Sequence, residues 1–171
     1  IIVGAIANNF LVYKNIEVGK SLIEENTKDI IDRIFIETKK YNCKIITPKD
    51  CLVSEKFNGK ASIKTIDNVK KNEMILDIGP ETVEDIKKII DQSNTVMWNG
   101  PAGYFENKEF ASGTNSIAKK ISNNTSQNSL ISVLGGGDTL AAINKNNIKF
   151  NFTHLSTAGG AFLEYLEGKE L

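Results

Sequence analysis

Cysteine, proline and histidine are all scarce in this chain, and each shortage removes a class of function. Two cysteines, Cys43 and Cys51, stand eight residues apart with no CxxC pairing and no histidine nearby. That spacing suits neither a zinc site nor a disulfide framework, so both are read as reduced packing groups. The single histidine, His154, falls near a strand end, where a structural role is the ordinary one. Lysine and arginine balance aspartate and glutamate at a net charge of +0, without a basic run. A basic footprint for the phosphate backbone of DNA or RNA is therefore missing, and nucleic acid is not an expected partner. The apolar opening Ile1–Ala7 is short, lacks a positive start and meets Asn8 and Asn9, which excludes a signal peptide or membrane span there. The ending Gly168-Lys169-Glu170-Leu171 resembles a retrieval tail only superficially. A soluble, cytoplasmic protein without a membrane partner is expected. Ile1 is not an initiator methionine, and the expectation is a fragment.

What is present has the composition of a globular domain, with 40% hydrophobic and 25% charged residues in 171. A chain of this size buries about two thirds of the surface its unfolded form exposes. No period of roughly 20 to 50 residues recurs, which sets solenoids aside. Instead, short β-branched runs alternate with turns and longer helical stretches. Strands are predicted at Ile1–Val3, Lys44–Thr47, Met74–Ile78, Thr95–Trp98, Leu130–Leu134 and Phe152–Leu155. Helices are predicted from Gly4 through Leu11, over Lys20–Tyr41, after Gly79-Pro80, over Glu109–Ile121, from Thr139 and over Ala161–Leu166. In the Lys20–Tyr41 helix the stripe Leu22, Ile23, Ile30, Ile31, Ile34 and Phe35 is expected to be buried. The segment from Asp50 to Glu73 reads as a β excursion beside the main sheet. The pattern predicts an α/β fold: a three-layer, Rossmann-like parallel sheet with helices on both faces.

In such sheets ligands bind beyond the carboxyl ends of the strands, where helix N-termini offer free N–H groups. Four strand-to-helix turns carry unusual residues. Gly135-Gly136-Gly137-Asp138-Thr139 lets backbone approach an anion, with Asp138 and Thr139 available to a magnesium ion and a phosphate. It fits neither a Walker A loop nor G-x-G-x-x-G, and its plainer reading is a tight turn with Asp138 as helix cap. Ser156-Thr157-Ala158-Gly159-Gly160 offers a second set of donors, suited to a transferring phosphoryl group. Trp98-Asn99-Gly100-Pro101, followed by aromatics and Glu106, suits a base and its ribose, with Trp98 itself read as core. Small residues after Val3, from Gly4 onward, fit either a cofactor wall or close packing.

Together these turns resemble the phosphoglycerate kinase family. The matching pieces are Gly4–Leu11, Val18–Leu22, Leu76–Thr82, Trp98–Pro101, Gly135–Thr139 and His154–Thr157, in the family's order across nearly the whole chain. The resemblance implies that residues 1–171 are the C-terminal, Mg-nucleotide-binding domain, truncated at both ends, of a cytoplasmic, monomeric glycolytic kinase. The intact enzyme would move a phosphoryl group reversibly between 1,3-bisphosphoglycerate and ADP, giving 3-phosphoglycerate and ATP. Position by position, the resemblance implies cofactor-binding roles for Gly4, Asn99, Pro101, Glu106, Gly135, Gly136, Gly137, Asp138 and Thr139. Of these, Asp138 would face Mg2+, Glu106 would hold the ribose and Gly4 would wall the adenine. Thr157, Gly159 and Gly160 would cradle the transferring phosphoryl. Ala158 replaces the first glycine of the family's Ser-Thr-Gly-Gly-Gly run, and Phe162 replaces its usual serine. The phosphoglycerate would be held by the absent N-terminal domain, so this chain alone is expected to transfer nothing. Two other readings stand beside this one: a catalytically inactive, standalone nucleotide-binding module, and a Rossmann-type dehydrogenase, which the lack of a dinucleotide fingerprint disfavours.

Overall fold

The computed structural model describes residues 1–145, 150–157 and 159–169. Its strands fall into two sheets. β1 (Asp50–Ser54), β2 (Ser62–Thr65) and β3 (Met74–Ile78) form an antiparallel sheet in the order β2-β1-β3. β4 (Thr95–Asn99), β5 (Ile131–Gly135) and β6 (His154–Ser156) form a parallel sheet in that order. The α/β class with a parallel sheet flanked by helices is what the alternating pattern predicts. The antiparallel sheet contains the expected β excursion, but it also captures β3, which the pattern assigned to the main sheet. β1 is buried at all five positions and draws β3 to its free side through a register that shifts at Leu52/Val53.

Around the parallel sheet lie α3 (Pro80–Asp91), α4 (Ser112–Ser126), α5 (Gly137–Asn144) and α6 (Gly159–Leu166). Ile86, Ile90, Trp98, Ala118, Ile121 and Leu134 belong to one buried cluster joining α3 and α4 to β4 and β5. The start of α3 is fixed from a distance. Pro80 takes the first position, where its missing N–H costs nothing. Asp50 of β1 accepts from the N–H groups of Glu81 (2.9 Å) and Thr82 (2.8 Å) and from the Thr82 hydroxyl (2.6 Å).

Two predicted strands form no ladder. Ile1–Val3 and Lys44–Thr47 are joined by one bond, Ile2 N–H to Ile46 O at 2.9 Å, and neither enters a sheet. The long second helix is also shorter than its periodicity suggests. α1 (Gly4–Tyr13) is followed by α2 over Lys28–Lys40 only. Asn8 donates to the Leu22 carbonyl (2.9 Å), and Asn9 accepts from the Glu24 N–H (2.8 Å). These bonds consume backbone groups that a helix over residues 20–27 would need. Asn26 then sits in the left-handed region at φ +58. Of the predicted stripe, Ile31 is buried, Ile34 and Phe35 are half-buried, and Leu22, Ile23 and Ile30 are exposed. Cys51 is fully buried as expected of a packing group, whereas Cys43 is an exposed free thiol. Among the described residues no helix is long and apolar enough to cross a membrane.

Candidate functional site

Parallel register brings three of the four singled-out turns side by side. Asn99 of β4 stands opposite Gly135 of β5, and Gly135 opposite Ser156 of β6. The chain leaves all three strands at the same end of the sheet. There it enters the Gly100-Pro101 loop, the Gly136–Asp138 turn into α5, and the Thr157 bend before Gly159 and Gly160 of α6.

The Gly136 turn is shaped by its neighbours. Gly136 has φ +95, and a Cβ there would stand 2.8 Å from Asn99 Oδ1, so conformation and proximity both demand glycine. It is the residue before α5, and no side chain caps that helix start. Asp138 is therefore not the cap that the plainer reading assigned; it lies exposed in the first turn, where the helix dipole favours a carboxylate. Thr139 is fully buried, and its Oγ1 accepts the Gly100 N–H at 2.7 Å. A methyl added at Gly137 or Gly160 would meet nothing within 4 Å, so both glycines front open space. Thr157 is exposed, whereas Ala158 and the Phe162 side chain lie outside the described residues.

Gly4 closes the opposite wall. It opens α1 at φ +65, and a Cβ there would meet the Pro101 carbonyl oxygen at 2.8 Å. Gly4, Asn99, Pro101, Glu106 and Asp138 all line one cavity of about 720 Å³. Glu106 is exposed, and its carbonyl accepts from Lys145 Nζ at 2.6 Å, which ties the end of α5 to the loop after β4. Trp98 is buried, as expected of a core residue, and its Nε1–H donates to the Gly100 carbonyl at 2.7 Å. His154 is exposed on β6.

Sequence reasoning passed over Asp77. This carboxylate is 1% exposed at the end of β3 and accepts from the N–H groups of Ile78 (2.9 Å) and Gly113 (2.8 Å) and from the Ser112 hydroxyl (3.1 Å). Burial pushes its pKa up to about 6, against the pull of those hydrogen bonds. An acid inside the otherwise apolar run Met74–Ile78 was the available signal. Lys145 gave none, because only the fold brings it to residues 105 and 106.

Among the described residues no group of three or more His, Cys, Asp or Glu is placed to hold a metal. A lone exposed carboxylate at a helix start suits an ion that shares its coordination with phosphate oxygens and water, as Mg2+ does, and not one caged by protein.

Fold and crevice put the chain in the class of open α/β proteins that receive ligands beyond the carboxyl ends of parallel strands. Comparison with known proteins narrows the class. The family model for phosphoglycerate kinase matches residues 1–169. A phosphoglycerate kinase of Zymomonas mobilis is 46% identical over all of this chain and 44% of its own length. One of Chelativorans sp. is 43% identical, again over 100% and 44%. The solved phosphoglycerate kinase of Coxiella burnetii superposes with a TM-score of 0.91 at 40% identity, covering 99% of this chain and 43% of that one. That of Pyrococcus horikoshii gives 0.73 at 31% identity, with 99% and 42% covered. The chain belongs to the phosphoglycerate kinase family, and it spans less than half the length of these relatives.

Proposed function

We propose that this chain is the C-terminal, Mg-nucleotide-binding domain of a phosphoglycerate kinase whose intact form interconverts 1,3-bisphosphoglycerate plus ADP with 3-phosphoglycerate plus ATP. The observation that carries the reading is the single cavity shared by Gly4, Asn99, Pro101, Glu106 and Asp138. In this reading the base and ribose lie between Gly4 and the Asn99–Glu106 loop, with the Glu106 carboxylate on the ribose hydroxyls. The nucleotide phosphates lie over Gly135, Gly136 and Gly137, where the uncapped start of α5 offers N–H donors, including that of Thr139. Asp138 would hold Mg2+, whose charge offsets that of the phosphates.

The chemistry proposed for the intact enzyme needs little covalent help from protein. A β-phosphate oxygen of ADP forms a bond to the acyl-phosphate phosphorus, the bond from that phosphorus to the acyl oxygen breaks, and a carboxylate leaves. Thr157, Gly159 and Gly160 are assigned to the phosphoryl in flight, through the hydroxyl and the backbone N–H groups beside the Gly136 turn. Both substrates must be held in line, and the phosphoglycerate side is assigned to sequence outside these residues.

The test uses the protein from the complete open reading frame. ATP formation that requires ADP, Mg2+ and 1,3-bisphosphoglycerate is expected, and no turnover overturns the reading. The 171-residue chain alone is expected to bind ADP in calorimetry without transfer. Nucleotide binding by the complete protein without turnover would instead favour an inactive binding module.

A further inference from the structure

In the cavity wall, one buried carboxylate holds the exit of the loop after β4 and lies against its middle. Asp77 Oδ2 accepts from the Ser112 hydroxyl and the Gly113 N–H, the first turn of α4, where the loop after β4 ends. Midway along the loop, Gly103 passes so close that an added Cβ would stand 2.4 Å from Asp77 Oδ1; at Gly113 the distance is the same. The next residue up β3 joins in, for the Leu76 carbonyl accepts the Tyr104 N–H at 2.6 Å. Thr114, in the same turn of α4, accepts the Ala102 N–H at 2.9 Å and is fully buried. The loop between β4 and α4 is therefore held at residues 102, 103 and 104, and at its exit, by β3 and by a helix start that Asp77 fixes. Those anchors bracket Pro101 on one side and Glu106 on the other, both of them cavity-lining.

We propose that Asp77 is a positioning residue of the nucleotide site: it clamps the 100–111 loop against β3 and so sets where Pro101 and Glu106 meet the ligand. This rests on the reading of the cavity given above. Asp77 lines the cavity, but at 1% exposure its two oxygens are taken up by Ile78, Ser112 and Gly113, so the carboxylate acts through the loop and not by touching the nucleotide. Asp50 supplies a built-in comparison. It is equally a buried carboxylate fixing a helix start, that of α3, but it does not line the cavity.

The experiment is steady-state kinetics and amide hydrogen exchange on the protein from the complete open reading frame, well below each variant's melting temperature. Asp77→Ala is expected to raise KM for ADP about tenfold, the scale of a lost buried charged hydrogen bond, with kcat and KM for 1,3-bisphosphoglycerate within about twofold of wild type. Exchange of the 100–111 amides is expected to accelerate. Asp50→Ala is expected to lower the melting temperature without moving KM for ADP or that exchange. Asp77→Asn keeps one oxygen for Ser112 and Gly113, and is expected to fall between wild type and alanine; it serves as the test if the alanine variant does not fold. Unchanged KM for ADP in both Asp77 variants, or an equal rise in both KM values, overturns the proposal. If the wild type shows no turnover, the functional reading fails by itself. Exchange then decides the clamp: faster 100–111 amides in Asp77→Ala than in Asp50→Ala uphold it, and equal rates overturn it.

Discussion

Gly136 and Asp77 show how single positions constrain this site. At Gly136 a side chain would be strained by φ +95 and would press on Asn99 Oδ1 at 2.8 Å. Gly136→Ala is therefore expected to cost about 1 to 3 kcal/mol in denaturant unfolding and to weaken ADP binding in calorimetry. Asp77 titrates in the opposite sense to a salt-bridged acid. Its pKa rises from the ordinary 3.8 to about 6 on folding, because burial penalises the charge more than the hydrogen bonds favour it. Its contribution to stability is thus complete below about pH 4 and lost as pH rises through about 6. The full swing is on the order of 3 kcal/mol at one unit per 1.4 kcal/mol. Relative to Asp77→Asn, wild-type unfolding free energy is expected to decline by that order between pH 4 and 7; a difference flat across that range would refute the assignment. The segment Gly135–Thr139 was legible in the sequence as a strand-to-helix turn, because an apolar strand and a helical stretch flank its glycines. Asp77 was not, because its partners Ser112 and Gly113 lie 35 and 36 residues away.

At the scale of elements, helix starts matter more than helix lengths. α3 begins where Gly79 and Pro80 announce it, yet its cap comes from Asp50, some 30 residues earlier. Asp50→Ala removes three hydrogen bonds, two of them buried, and is expected to cost about 2 to 3 kcal/mol, read from the shift in unfolding midpoint at constant slope. The same non-local logic explains which elements the sequence concealed. Periodicity marked α3 and strands β3, β4 and β5 within a residue or so, since their apolar positions face a core made largely by neighbours of the same kind. It overran at Lys20–Asn26, where tertiary bonds from Asn8 and Asn9 outcompete helix formation in a segment with adequate propensity. Ile1–Val3 and Lys44–Thr47 have strand composition, but a strand is a pairing, and each has a single bond to the other.

Across the whole molecule, two sheets divide the labour. The antiparallel one encloses Cys51 at 0% exposure, where burial drives the thiol up to about 12, while Cys43 is exposed. The native chain is accordingly expected to release one equivalent of thionitrobenzoate from an aromatic disulfide reagent at pH 8, and two in denaturant. Two fast equivalents in the native state would mean that β1 is open to solvent. The parallel sheet supplies Met97, Trp98 and Asn99 to the cavity wall; alternation gave no strand order, but its three strands were readable. The partition of β3 into the other sheet was not, because antiparallel capture by β1 depends on which free edge lies nearest in space.

The hydrogen bond from Trp98 to the Gly100 carbonyl has an optical consequence. Trp98 is the chain's sole tryptophan, and its indole N–H reports on a carbonyl at the rim of the cavity. Anything that draws the loop inward alters that bond and the polarity around the ring, and with it the wavelength of emission. The chain thus carries a native fluorophore wired to the loop, able to report a change in the loop's position without a label.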